Sequence, residues 1–201
     1  MNYRTFRLIK GNGVMCRRCN AVVETQAHVF NHCKENPYGP TRKHNKLLNI
    51  LNKFLTNKGM NVDMDEAPAE IQTTKRPDLV IRDYRAKNTF VLDMKVPYDD
   101  SENFKFNRSS NSEKYGALTD AMCHRNRHKL YLNVINVGCL GSWDPENDIA
   151  LKRIGLSEAE IMKVSKELIV AAVKESYHIY LSHVTGRRYD PNLILPPLIN
   201  R

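Results

Sequence analysis

Asp78, Asp93 and Lys95 are the residues of this 201-residue chain whose types and spacing best suit catalysis. Leu79, Val80 and Ile81 read as one short strand and Phe90, Val91 and Leu92 as a second, with the polar segment 82–88 between them. A symmetric hairpin with Tyr84, Arg85, Ala86 and Lys87 in its loop pairs residue 83 with 88, 81 with 90 and 78 with 93. Asp78 then faces Asp93, and directly opposed side chains lie roughly 4.5–5.5 Å apart at Cβ. Two carboxylates that close repel each other, and a divalent cation removes the repulsion while using the oxygens of both. Side chains alternate along a strand, so Lys95 shares the aspartate face while Leu92 and Met94 point the other way. Magnesium or manganese held by Asp78, Asp93 and the backbone carbonyl of Met94 would polarise a phosphate oxygen and acidify a bound water. Lys95 would orient that water or offset charge developing on the phosphorus. An ordinary hairpin with acids at its ends fits the same three residues taken alone, so their context has to decide.

A second constellation lies upstream. Cys16, Cys19, His28 and Cys33 follow the spacing C-x2-C-x8-H-x4-C, which suits a closed tetrahedral zinc site. Zinc also explains how so short and polar a segment becomes ordered. His32 is the alternative to Cys33 as fourth ligand. The chain has five cysteines, an odd number, with three of them inside residues 16–33. That favours a metal site in a reducing compartment over a disulfide framework. Cys123 and Cys139 read as inert buried thiols, and Arg17, Arg18 and Lys34 flank the site where a phosphate would contact it.

Asn36, Pro37, Tyr38, Gly39 and Pro40 read as a break between two modules. Residues 41–57 form a helix, with Leu47, Ile50, Leu51, Phe54 and Leu55 at helical spacing. Arg42, Lys43, His44 and Lys46 crowd its first turns, where a phosphate partner would relieve repulsion from the helix dipole. His44 is within reach of the aspartates in principle, and Glu66 or Glu70 could supply a third carboxylate. Ile71, Gln72 and Thr73 suggest a short strand. Tyr98, Asp99 and Asp100 resemble a polymerase box but lack its intervening residue. Residues 101–112 are polar and read as a loop, and 113–127 as a helix that brings Lys114 and Tyr115 towards the scissile phosphate. His124, Arg125, Arg127 and His128 at its end suit a DNA-facing patch better than a second metal site. Residues 130–137 read as a strand and 138–145 as a turn. Ser157 and Glu160 form a capping box opening a helix that runs to about His183.

The formal net charge is +9, which favours a polyanionic partner. No apolar run approaches the roughly 18 residues of a membrane span, so nucleic acid is expected before a membrane.

Taken in order, residues 41–140 give helix, strand, strand, strand, helix, strand, with Pro77-Asp78 on the second strand and Asp93-x-Lys95 on the third. This resembles the restriction-endonuclease-like (PD-(D/E)xK) fold, an α/β mixed sheet flanked by helices. The knuckle at 1–40 followed by a nuclease at 41–201 is similar to the C-terminal part of site-specific non-LTR retrotransposon proteins, the type inserting into ribosomal DNA. The resemblance rests on Cys16, Cys19, His28 and Cys33, on Arg76-Pro77-Asp78, on Asp93 and Lys95, and on Lys114-Tyr115. The 42–45 helix start and the turn at Gly141, Ser142 and Trp143 also resemble family features. It implies a nuclear, magnesium- or manganese-dependent endonuclease that nicks double-stranded target DNA so that the freed 3′ hydroxyl primes reverse transcription. Its partners would include the reverse transcriptase domain of a parent polyprotein and element RNA, and the chain would be a fragment or a remnant of such a protein. Arg17, Arg18, Arg42, Lys43, Arg76, Arg125 and Arg127 are the basic residues expected at nucleic acid. The alternatives are a nucleic-acid-binding module with weak or lost cleavage, and an RNA-cleaving nuclease of the cap-snatching kind in which His44 ligates metal.

Overall fold

A computed structural model describes residues 14–36, 38–66, 68, 75–126 and 128–187, with the side chains of 119 and 123–126 left out. Its elements are a short π-helical turn at His28–His32, helix α1 (Tyr38–Asn57), strands β1 (Asn61–Met64), β2 (Leu79–Asp83) and β3 (Asn88–Lys95), helix α2 (Ser101–Asn126), strand β4 (Lys129–Asn136), and helices α3 (Glu146–Ile154) and α4 (Glu158–Thr185).

The alternation of β2 and β3 decides how the layers assemble. Leu79, Ile81, Phe90, Leu92 and Met94 point to one side of the sheet. There they bury against Leu47, Leu51 and Leu55 of α1, Leu151 of α3 and Leu168 of α4. Val80 and Val91 point to the other side, against Tyr115, Leu118 and Met122 of α2. Fully burying side chains of this size contributes about 1.5–3 kcal/mol each, so the period-2 pattern fixes the register. The sheet runs β1-β2-β3-β4. The first two pairings are antiparallel, and β4 lies parallel to β3 after the α2 crossover. This is a mixed α/β fold with a four-stranded sheet flanked by helices.

The hairpin register is the one expected, with Asp83 opposite Asn88, Ile81 opposite Phe90 and Leu79 opposite Leu92. Asp83 builds the turn: its Oδ1 accepts the backbone N–H groups of Arg85 and Ala86 at 2.9 Å each.

Two local expectations are corrected, and two further elements come from the structure alone. Residues 101–112 are helical and continuous with the following turns, because polar side chains anchor them. Asn107 donates to Asn136 Oδ1 at 3.0 Å, and Arg108 pairs with Asp144. Helix α1 begins at Tyr38, inside the stretch expected to be a break. Gly39 permits this, since a Cβ there would lie 2.8 Å from Ile179 Cγ1 of α4. The first strand is the acidic stretch at β1, held by an Asp63–Arg82 ion pair. The strand expected at Ile71, Gln72 and Thr73 lies outside the described residues. Finally, α3 has no clear sequence signal beyond Pro145 before its first turn.

Asp99, one of the three residues resembling a polymerase box, has a structural task. Its carboxylate accepts Leu140 N–H at 2.6 Å and Ser142 N–H at 2.7 Å, clamping the turn after β4. A Cβ on Gly138 would lie 2.3 Å from Asp99 Oδ1. Gly138→Ala is therefore expected to cost about 2 kcal/mol, or roughly 4–8 °C of melting temperature, measured by calorimetry. Among the described residues no helix is long and apolar enough to cross a membrane.

Candidate active site and metal centre

Asp78 sits one residue before β2, and Asp93 lies near the end of β3. Asp78 Oδ2 accepts the backbone N–H of Met94 at 2.6 Å, which ties the start of one strand to the end of the next. The N–H and C=O of one strand residue point to the same side. The Met94 carbonyl therefore faces the Asp78 side, while the Lys95 carbonyl accepts Val137 N–H from the β4 side. His44 Nε2, on α1, lies 3.1 Å from the same Asp78 oxygen, and its Nδ1 lies 3.2 Å from Asn45 Oδ1.

Asp93 is 1% exposed. Its Oδ1 accepts the Tyr115 hydroxyl at 3.3 Å and lies 3.8 Å from Lys114 Nζ. Its Oδ2 is ion-paired with Lys95 Nζ but accepts no directed hydrogen bond. Burial and the Asp78 charge push the Asp93 carboxyl above its ordinary range, against Lys95 and Lys114. Burial acts on Asp78 too, but there His44, the Met94 N–H and Lys95 outweigh it and the carboxyl falls below its usual range. Two adjacent acids are thus driven apart in acidity, a pattern typical of working sites. The donor set consists of hard oxygens from two carboxylates and one carbonyl. That set fits magnesium or manganese. His44, Asp78 and Asp93 do not bring three ligand atoms within 4.8 Å of one another.

His44 is held above its ordinary pKa by the hydrogen bond to Asp78, against burial. A raised histidine stabilises the fold fully below its unfolded value, and that contribution disappears as pH rises through the folded value. In zinc-loaded, magnesium-free protein, the stability lost by His44→Gln should be largest near pH 6 and fade towards pH 9. Melting curves at several pH values measure it.

The basic residues separate by burial. Tyr115, expected to assist at the phosphate, is fully buried, and its hydroxyl donates to the Arg76 carbonyl at 3.0 Å and to Asp93. Its place on α2 faces the sheet with Leu118 and Met122, and its hydroxyl reaches the acid from there. Lys114, next to it, is half-exposed and remains at the site's rim. Lys43, expected at nucleic acid, is 1% exposed. It lies one helical turn before Leu47 on the buried face, and its Nζ donates to Asn31 Oδ1 at 2.9 Å and the Phe30 carbonyl at 3.4 Å. Arg42, likewise expected there, pairs with Glu175 of α4 at 2.9 Å. Arg17 is taken up by Glu24 at 2.7 Å. Arg18 and Arg76 are exposed. Arg125 lies in the last turn of α2, and Arg127 lies outside the described residues. Glu66 is exposed and joins no ligand cluster among the described residues, and Glu70 lies outside them.

The upstream constellation closes on itself. Cys16, Cys19, His28 and Cys33 place one ligand atom each within 4.8 Å of all the others, and His32 is exposed. Cys16 Sγ and Cys33 Sγ are 3.8 Å apart, and Cys19 Sγ lies 3.4 Å from His28 Nε2. Tetrahedral zinc with ordinary bond lengths requires about 3.8 Å between sulfurs and about 3.5 Å between sulfur and nitrogen. The cluster could hold zinc with little rearrangement. The chain supplies the frame: a Met15–Val23 bridge closes the first loop, and Cys33 N–H caps the π turn on the His28 carbonyl at 2.8 Å. Two residues missed from sequence, Glu24 and His183, stand against Cys16. They carry no motif spacing, since 159 residues separate them.

No family model matches the chain, and no curated protein matches it. Among solved structures, it is similar to an N-terminal domain of a reptarenavirus L protein. The identity is 17%, the match covers 70% of this chain and 78% of that one, and the TM-score is 0.33. That overlap is too low to carry an argument about fold or activity.

Proposed function

We propose that the protein is a metal-dependent DNA endonuclease. It would combine a zinc knuckle with a restriction-endonuclease-like domain, as at the C-terminal end of site-specific non-LTR retrotransposon proteins. The observation that carries the reading is the Asp78–Asp93 pair. A partly buried and a fully buried carboxylate of opposed acidity stand at one end of a mixed sheet, with Lys95 ion-paired to the buried one. Magnesium or manganese bound there supplies electrophilic stabilisation of a phosphate oxygen and a more acidic water. Asp78 and Asp93 would hold the cation, with the Met94 carbonyl on the same side. Lys95, ion-paired to Asp93, would offer its ammonium to the phosphate or the attacking water. Lys114 offers a second positive charge at the rim. Tyr115 keeps Asp93 in place: burial and the two aspartate charges push its phenol well above the ordinary value, so it stays a donor. In this reading the nick is made in double-stranded DNA in the nucleus. Its 3′ hydroxyl primes reverse transcription by a polymerase domain of a parent protein, with element RNA a further partner of the knuckle.

One observation favours a second reading. His44 Nε2 lies 3.1 Å from Asp78 Oδ2, and an RNA-cleaving nuclease of the cap-snatching kind would use His44 as a metal ligand. The experiment is to incubate zinc-loaded protein with supercoiled plasmid and with single-stranded RNA, in magnesium or manganese. Plasmid nicking that needs added divalent metal, with RNA left intact, supports the DNA reading. RNA cleavage abolished by His44→Ala, with the plasmid left supercoiled, supports the other. DNA binding without cleavage of either nucleic acid supports a binding module.

A further inference from the structure

The zinc cluster has a neighbour that its own segment does not supply. His183, near the C-terminal end of α4, is 2% exposed. Its Nε2 lies 3.7 Å from Cys16 Sγ and 3.1 Å from Glu24 Oε2. Cys16, Glu24 and His183 form a second group whose ligand atoms all lie within 4.8 Å of one another. That group shares only Cys16 with the four-residue cluster, so His183 approaches the sulfur from outside the tetrahedron. A metal-bound thiolate and a carboxylate can only accept hydrogen bonds. His183 Nε2 is the donor position within reach of both, nearer to Glu24 than to Cys16, and Nδ1 is buried without a hydrogen-bond partner. Glu24 is itself fixed by Arg17, whose backbone N–H donates to it at 2.8 Å and whose Nε donates at 2.9 Å. Outer partners of metal ligands commonly set ligand orientation and basicity in this way.

We infer that His183 is a positioning residue for the knuckle metal: its Nε2–H holds the Cys16 sulfur, Glu24 aims the ring, and metal occupancy locks the end of α4. The inference rests on the zinc reading of Cys16, Cys19, His28 and Cys33. Its consequence reaches the candidate active site. Helix α4 pairs with α1 through Glu175 and Arg42 and packs Ile179 against Gly39. Helix α1 in turn carries His44 to Asp78. Metal at the knuckle thus braces the helix that supports the site, through contacts no shared sequence motif announces.

The test needs no nuclease activity. Zinc affinity is measured by competition with a chromophoric chelator for wild type, His183→Leu and His183→Gln, and cobalt is substituted to record the visible spectrum. His183→Leu should bind zinc about 10–100-fold more weakly. His183→Gln, which keeps an N–H donor at similar reach, should fall between Leu and wild type. The cobalt bands should keep their positions in all three, since the ligand set is unchanged. Hydrogen exchange across residues 177–185 should rise when wild type is stripped of zinc. Affinities equal within twofold, or exchange there that ignores zinc, would overturn the inference. Cobalt bands displaced by His183→Leu would overturn it too, by making His183 a ligand. If His183→Leu does not fold, the exchange measurement on wild type decides alone. Wild type that binds no zinc would instead sink the zinc reading beneath it, a separately visible outcome.

Discussion

Cys16→Ser, or a chelator that strips zinc, is expected to melt residues 14–36 and lower the stability of the whole chain by several kcal/mol. The segment has one π turn and one isolated β-bridge for regular structure. Its apolar contribution is Val29 and Phe30, packed with Cys139 and Ile179. That area cannot order more than twenty residues against the roughly 1–2 kcal/mol of backbone entropy each one costs. Structural zinc supplies about 10–16 kcal/mol in zinc-finger peptides, and much of it appears as folding free energy. A loss of even about 3 kcal/mol lowers the melting temperature of a chain this size by roughly 6–12 °C. Burial pushes the Cys33 thiol up to about 11, so the metal must displace a firmly held proton and zinc affinity should weaken as pH falls. Calorimetry with and without chelator, and exchange at residues 14–36, measure both effects. An unchanged melting temperature and unchanged protection after verified metal removal would show that the segment folds without the ion.

Asp93→Asn is expected to move activity and stability in opposite directions. Removing one of two cation-binding carboxylates takes away several kcal/mol of transition-state stabilisation, about a thousandfold or more in nicking rate. The fold responds differently. Asp93 is buried beside a second carboxylate, and its pKa is raised. A carboxyl whose folded value is raised binds a proton more readily when folded, so stability falls as pH climbs from the unfolded value near 4 through the folded one. Above that window the charged form is a burden the neutral amide does not carry. The amide can still accept from Tyr115 and can offer Oδ1 to Lys114. In magnesium-free buffer at pH 7–8 the variant should melt no lower than wild type, and higher if the repulsion from Asp78 exceeds the attraction of Lys95. Melting curves beside single-turnover nicking measure the pair of effects. A variant that loses both activity and several degrees would mark Asp93 as structural.

The hairpin could be read from the sequence because its two apolar runs and polar turn admit one register that buries Leu79, Ile81, Phe90 and Leu92 together. The capping box at Ser157 and Glu160 was equally local, and the structure has it. What stayed hidden depends on tertiary partners. The first half of α2 has no apolar stripe and is held by single polar anchors such as Arg108 to Asp144. Lys43 looks like a surface cation until Asn31 and the Phe30 carbonyl surround its ammonium. Burial then lowers its pKa to about 8. Arg42 and Arg17 find internal acids that no spacing rule predicts. His44 carries no sequence signal of its role, because nothing in its neighbours says that the second turn of α1 lies beside Asp78. The cysteine spacing disclosed the four ligands, while the fixing of Cys16 by His183 needed the whole chain to be folded.

The measurement that bears most directly on the central claim is nicking of supercoiled plasmid in manganese by wild type and Asp78→Ala, each at a concentration that saturates the same DNA in a parallel binding assay. The account predicts metal-dependent relaxation by wild type, its loss in Asp78→Ala, and equal DNA occupancy for both. Nicking that survives in Asp78→Ala at equal occupancy would contradict it and move the chemistry away from the hairpin.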